Sequence, residues 1–183
     1  MSHDDAAAVA RVAVEPALQP AVAGDAAAVV RLRDAAASWL LGRGIAQWQP
    51  GEARVERAAA RADAGELFVV RDRGEVVAAV VIVPSDPQVW GSRPGTAGYL
   101  HTLVIDRRRA GQGLGRRVLT LAEAHIAATG ATYARLDALA GNDALTAYYR
   151  TAGYTEVGRH TFAPATSWPP VLLFEKRLAG GAS

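Results

Sequence analysis

The stretch that decides the fold is YLHTLVIDRRRAGQGLGRR, residues 99–117. Leu100, Leu103, Val104 and Ile105 form an apolar strand, and Gly111, Gly113 and Gly115 form a tight turn. Val118, Leu121, Ala122 and Ile126 then recur at helical spacing, so the chain leaves the glycines as a helix. Glycines at a helix start leave its first backbone N–H groups uncovered, at the positive end of the helix dipole. Such a turn suits a phosphate. Arg107, Arg108, Arg109, Arg116 and Arg117 crowd the same place, so a diphosphate-bearing ligand is the first expectation.

Upstream of this stretch, 11–15 (RVAVE) reads as a short strand, and helices are predicted over about 26–42 and 51–64. Between these helices lies an irregular piece holding Gln47 and Trp48. Strands over 67–71 and 76–83 flank Asp72-Arg73-Gly74 as a hairpin. A loop over 84–98 follows, with three prolines and Trp90. The central strand covers 98–105 and its helix 113–129. Beyond them come a strand (133–139), a helix (142–151), a strand (154–162), a loop with Trp168, and a last strand (171–178). The order is β-α-α-β-β-β-α-β-α-β-β, for which one mixed sheet with helices on both faces is the economical α/β (α+β) architecture. A single domain is expected over 11–178, with a disordered 1–10 and a free tail at 179–183.

Composition narrows the function. The chain has 183 residues, half of them hydrophobic, which suits one domain with a core. Twenty basic and 18 acidic side chains leave a net charge of +2, which makes no general case for nucleic acid. The absence of cysteine excludes disulfides, thiolate metal sites and a Cys nucleophile. No apolar run approaches the roughly 20 residues of a membrane span. The N-terminus is acidic and does not read as a signal peptide, so a cytoplasmic location is expected. A P-loop needs a Lys after its glycines, and a dinucleotide turn needs GxGxxG. Here the spacing is GxGxG followed by Arg116, and an antiparallel hairpin precedes it.

With these residues in hand, the chain resembles the GCN5-related N-acetyltransferase (GNAT) superfamily over nearly the whole of 11–178. That family carries Gln/Arg-x-x-Gly-x-Gly/Ala after its fourth strand, and AGQGLG at 110–115 matches through Gly113 and Gly115. Ala110 departs from the pattern, with Arg109 beside it as a candidate brace. The family's second signature is matched by Asn142, Tyr149 seven residues on, and Gly153-Tyr154 four beyond that. The segment WLLGRGIAQW at 39–48 is similar to a branch of small bacterial members.

The resemblance implies a mixed, mostly antiparallel sheet of six to seven strands. It also implies acetyl transfer from acetyl-CoA, as co-substrate, to a primary amine, by direct attack in a ternary complex. The backbone of Leu103, Val104 and Ile105 would bind pantetheine, and an N–H near Val104 would polarise the thioester. Gly111, Gln112, Gly113, Leu114, Gly115 and Arg116 would hold the diphosphate. Asn142 would bind pantetheine or a water, or cap its helix. Tyr149 would be the general acid, or a packing residue. Asp137 would be the base through water, or an ion-pair partner of Arg135. His101 is the alternative base and Glu66 a third. Strand alternation places His101 with Leu103 and opposite Val104. His3, His125 and His160 are expected at the surface, and no metal site is expected. Trp48, Trp90 and Trp168 would line an acceptor pocket. The expected partners are a small-molecule amine and, at most, a second copy of the chain, with neither nucleic acid nor membrane. Protein N-terminal or lysine acetylation, and a CoA-binding module without turnover, are the competing readings.

Overall fold

The structure, a computed structural model, describes residues 17–166 and 168–179. The strand expected over 11–15 lies outside them. The first described strand is β1 (Leu18–Pro20), followed by α1 (Ala26–Leu41), α2 (Val55–Asp63), β2 (Leu67–Asp72) and β3 (Glu75–Val83). Next come α3 (Pro87–Trp90), β4 (Ala97–Ile105), α4 (Leu114–Ala128), β5 (Tyr133–Leu139), α5 (Asp143–Thr151), β6 (Thr155–His160) and β7 (Val171–Arg177). β1 is not the strand expected over 11–15 but lies beyond it; from α1 onward the expected order holds apart from α3, a single turn inside the expected 84–98 loop. Pro87 at its first position and the Asp86 carboxylate, which accepts from the Val89 N–H, start it.

Seven strands form one sheet in the order β1-β2-β3-β4-β5-β7-β6. Only β4 and β5 run parallel; the other neighbours are antiparallel. The run VVAAVVIV in β3 is buried from Val77 to Val83, as both of its faces are covered. On one face α4 and α5 pack, with Val118, Leu119, Ala122 and Ile126 against Val80, Leu100, Leu136 and Phe174. On the other face lie α1 and α2, with Val29 and Ala62 against Val69, Val81, Tyr99, Val104 and Leu173. Gly98 lets α4 approach closely: a Cβ there would stand 2.7 Å from Cγ1 and Cγ2 of Ile126. Among the described residues no helix is long and apolar enough to cross a membrane.

Two irregularities shape the middle of the sheet. The first is a fork. The parallel ladder runs from Ala97–Tyr133 to Leu100–Leu136 and stops. Beyond it β4 continues along β3 to Ile105–Ala78, while β5 continues along β7 to Leu139–Val171. Leu103, Val104 and Ile105 therefore face the fork with an edge that no strand among the described residues pairs.

The second is a bulge. His101 pairs with Val81 and Val104 with Ala79, so two residues of β4 stand opposite one of β3, and Thr102 takes φ 49°. Positive φ is costly for a β-branched residue and persists only where its surroundings enforce it. The bulge corrects the alternation expected from sequence. His101 and Val104 share the α1–α2 face, whereas Leu103 and Ile105 pack towards α4.

Candidate active site

The glycine turn is built as a cradle. Asp106 is buried and accepts from the Arg108 backbone N–H at 2.9 Å and from its Nη2 at 2.6 Å, which starts a single 3₁₀ turn over Arg107–Arg109. Gly111 and Gly113 both take φ 77°, and a Cβ at either would meet only open space. Gly113 precedes α4 in the left-handed conformation, and no side chain caps that helix. Its first amides thus open onto a groove of about 510 Å³ lined by Arg109, Gln112, Gly113, Leu114, Arg116 and Arg117. The geometry fits a diphosphate held by backbone N–H groups.

Most of the arginines at the turn have structural partners. Arg108 pairs with Asp106, and Arg109 pairs with Asp72 in the β2–β3 turn. The latter contact braces the loop where Ala110 supplies no side chain to do so. Arg107 lies 3.8 Å and Arg43 4.0 Å from the centroid of the Trp39 ring. Both guanidiniums therefore stack on this one indole. Arg116 donates to the Thr151 carbonyl at 3.1 Å, joining the starts of the cradle to α5.

Asn142 is buried and caps its helix as one of its expected uses, while its amide nitrogen finds a partner that the sequence does not announce. Its Oδ1 accepts from the Leu145 N–H at 3.1 Å as helix cap, and its Nδ2 donates to Gln47 Oε1 at 3.2 Å. The second bond ties the α1–α2 segment to α5. Tyr149 projects into the core, where its ring packs against Tyr148, Tyr154 and Phe174. Burial, with the nearby Tyr148 and Asp137, pushes its phenol well above the ordinary value of 10. Tyr148 points elsewhere: its hydroxyl is buried without a hydrogen bond, 3.5 Å from where a Cβ on Gly115 would stand.

At the fork itself three side chains converge. His101 and Asp137 each follow the last paired residues of their strands, so the opening fork presents them to each other. His101 Nδ1 lies 3.6 Å from Asp137 Oδ1, and Nε2 lies 3.4 Å from Asp86 Oδ2. The ligating atoms of Asp86, His101 and Asp137 all lie within 4.8 Å of one another, a convergence that sequence spacing does not announce and that a cation could also use.

The carboxylates differ. Burial pushes Asp137 above its ordinary value, outweighing the attraction of His101, and the charge of Asp86 adds to the rise. Burial also opposes ionisation of Asp86, but the close approach and charge of His101, the Val89 N–H and the charge of His160 together bring it below. Asp137 is not paired with Arg135, which is buried and bonds Glu175 Oε2 at 2.7 Å and the Pro94 carbonyl at 2.6 Å. Glu66 is engaged by Arg61.

Asp86 was not among the residues expected from sequence. Its signal is the Asp-Pro pair, a helix cap followed by a favoured first residue. His160, expected at the surface, is half-buried and acts electrostatically on both carboxylates. His125 packs on Phe68 with ring centroids 4.4 Å apart. Of the three tryptophans, Trp90 requires correction. It is only 4% exposed and packs on Tyr99, so it anchors α3 rather than lining an open pocket. Trp48 is half-buried under the Arg33 guanidinium. Trp168 is 56% exposed and stands edge-on to Phe162, which in turn meets His160 edge-to-face. These rings form a row leading outward from the carboxylates.

Residues 33–154 match the family described as Acetyltransferase (GNAT) family. The chain is 36% identical over 167 residues to the uncharacterized N-acetyltransferase YesJ of Bacillus subtilis (strain 168), covering 87% of this chain and 88% of that protein. A GNAT-family acetyltransferase structure from Listeria monocytogenes 4b F2365 superposes with a TM-score of 0.72 at 23% identity, covering 89% of this chain and 95% of that one. The structure of yncA from Salmonella typhimurium with its cofactor acetyl-CoA superposes with a TM-score of 0.66 at 16% identity, covering 92% and 96%. The uncovered amides before α4, the unpaired edge of β4 and the helix opened by Asn142 thus stand in a chain that belongs to the GNAT acetyltransferase family.

Proposed function

We propose that this protein is an acetyl-CoA-dependent N-acetyltransferase acting on the primary amine of a small molecule, by direct attack in a ternary complex. The observation that carries the reading is the fork between β4 and β5, with an unpaired strand edge on one side and Asp86, His101 and Asp137 gathered at its root. Bound acetyl-CoA supplies the acetyl thioester. The amides of Gly111, Gln112, Gly113, Leu114, Gly115 and Arg116 hold the diphosphate, and the free edge at Leu103, Val104 and Ile105 pairs with pantetheine amides as an added strand would. The Val104 N–H polarises the reacting carbonyl.

An amine reaches neutral solution as an ammonium, and attack requires its lone pair. Asp137 draws the ammonium to the fork, and His101 Nδ1 takes its proton directly or through a water. Tyr149 gives its phenolic proton to the departing sulfur. Trp168 and Phe162 form an apolar wall for the body of the acceptor, with Trp48 on the α1–α2 side. A panel of small primary amines and of peptides with free N-termini or lysines tests the reading, with thiol release from acetyl-CoA as readout. Release with small amines and not with peptides is expected. Release with peptides alone would make this a protein acetyltransferase. Binding of acetyl-CoA without release for any amine would make it a regulatory module.

A further inference from the structure

We propose that Asp86 is a positioning residue for this reaction: its carboxylate, fixed at the head of α3, holds the Nε2–H of His101, leaving Nδ1 as the proton acceptor that faces Asp137 and the fork. The inference rests on the reading that His101 takes the acceptor's proton.

Asp86 is held from its own helix. Its Oδ1 accepts from the Val89 N–H, Pro87 follows it, and the buried Trp90 pins the turn against Tyr99. Its Oδ2 is sealed from solvent and has no hydrogen bond of good geometry. The imidazole nitrogen 3.4 Å away is the donor that satisfies it. Such bonds are often long before substrate binds and tighten afterwards.

The two ring nitrogens thereby become distinct. A neutral imidazole has one N–H, and an ionised carboxylate can only accept. Asp86 Oδ2 is buried with no other partner among the described residues and lies 3.4 Å from Nε2, nearer than the 3.6 Å between Asp137 Oδ1 and Nδ1, so the N–H sits at Nε2. The groups facing His101 are Asp86 from α3 and Asp137 from β5. Val81, opposite it on β3, is apolar, His160 of β6 acts on both carboxylates, and the charge of Asp137 bears on Tyr149 of α5. In the step itself a proton passes from the ammonium nitrogen to Nδ1 and the amine lone pair forms the C–N bond. The C–S bond breaks with its electron pair going to sulfur, the Tyr149 proton follows it there, and the second proton of the attacking nitrogen passes through water to the Tyr149 phenolate, leaving a neutral amide and a neutral phenol. His101 is then an imidazolium between two carboxylates, which is the state Asp86 stabilises.

Asp86→Asn tests this: the amide oxygen still accepts from the Val89 N–H as a cap, while an amide nitrogen, a donor, replaces the oxygen that faces His101 Nε2. Expected are a kcat/KM for the amine lowered about tenfold or more and a lower pH limb displaced downward. KM for acetyl-CoA should be unchanged. His101→Gln should remove that limb altogether. A limb that survives His101→Gln sinks the base assignment, and this inference with it. A limb that vanishes in His101→Gln but stays in place in Asp86→Asn sinks the role of Asp86 alone. The tautomer is readable without any variant, from the imidazole ¹⁵N shifts of the wild-type protein: Nε2–H is expected, and Nδ1–H would overturn the proposal. So would a stoichiometric divalent ion in the purified protein that Asp86→Asn loses, since Asp86 would then be a ligand.

Discussion

A phenol enclosed by Tyr148, Tyr154 and Phe174 keeps its proton, because burial penalises the phenolate. Tyr149→Phe should therefore lower kcat by about 10²-fold with little change in KM for acetyl-CoA. An unchanged kcat, with chemistry rate-limiting, would assign the acid to another group. Gly98 makes a different kind of demand. A methyl at Gly98 collides with Ile126 in the middle of α4, so Gly98→Ala should cost about 1–3 kcal/mol, read by denaturant unfolding. At this scale the sequence is legible where the spacing is short and regular. Asn142, Tyr149 and Gly153 lie within one helix and its ends, and their intervals suffice to find them. Asp86, His101 and Asp137 are far apart along the chain and meet only because β4 and β5 part beside α3. No local pattern encodes that meeting, which is why Asp86 and the inward side of His160 escape a reading of sequence alone.

Among the elements, the strongly periodic ones are read within a few residues of their observed ends. α4 begins one residue after the glycine that the spacing assigns to it, and β5 coincides with its expected range. A four-residue helix such as α3 has no period to detect, and a bulge breaks the only period a strand has. The alternation of β4 therefore misplaces His101 from Thr102 onward. The diphosphate turn is the element most open to test. Gly113 takes φ 77°, so Gly113→Ala should destabilise the start of α4 by about 1–2 kcal/mol. Gly113→Asp should in addition abolish acetyl-CoA binding, measured by calorimetry, because a carboxylate would stand among the amides. Retained affinity would place the phosphates elsewhere.

The whole molecule couples its stability to ligand and to pH. Acetyl-CoA binds only the folded chain in this reading, so millimolar ligand should raise Tm in a thermal scan. Acid should act in the opposite sense. Three carboxyls, those of Asp25, Asp86 and Asp106, are held below their ordinary value of 3.8. Asp25 and Asp86 are lowered despite the opposing effect of burial, through Arg71 and His101 respectively; Asp106 is lowered chiefly by its hydrogen bonds from Arg108. As pH falls below about 4 the unfolded chain binds more protons at these positions than the folded one, so their stabilisation is lost progressively. Asp137 runs the other way, raised by burial, and regains stability when protonated. Three groups against one should leave Tm falling through this range, and a flat Tm between pH 5 and about 3 would contradict the balance. The stacking of Arg43 and Arg107 on Trp39 has an optical consequence. Arg107 opens the turn that receives the diphosphate, and its charge sits against the face of an indole whose excited state is sensitive to nearby charge. Ligand capture that draws Arg107 towards phosphate should shift or brighten the emission of this one fluorophore. The difference spectrum between the native chain and Trp39→Phe would then report, without a label, the moment at which the far end of acetyl-CoA is seated.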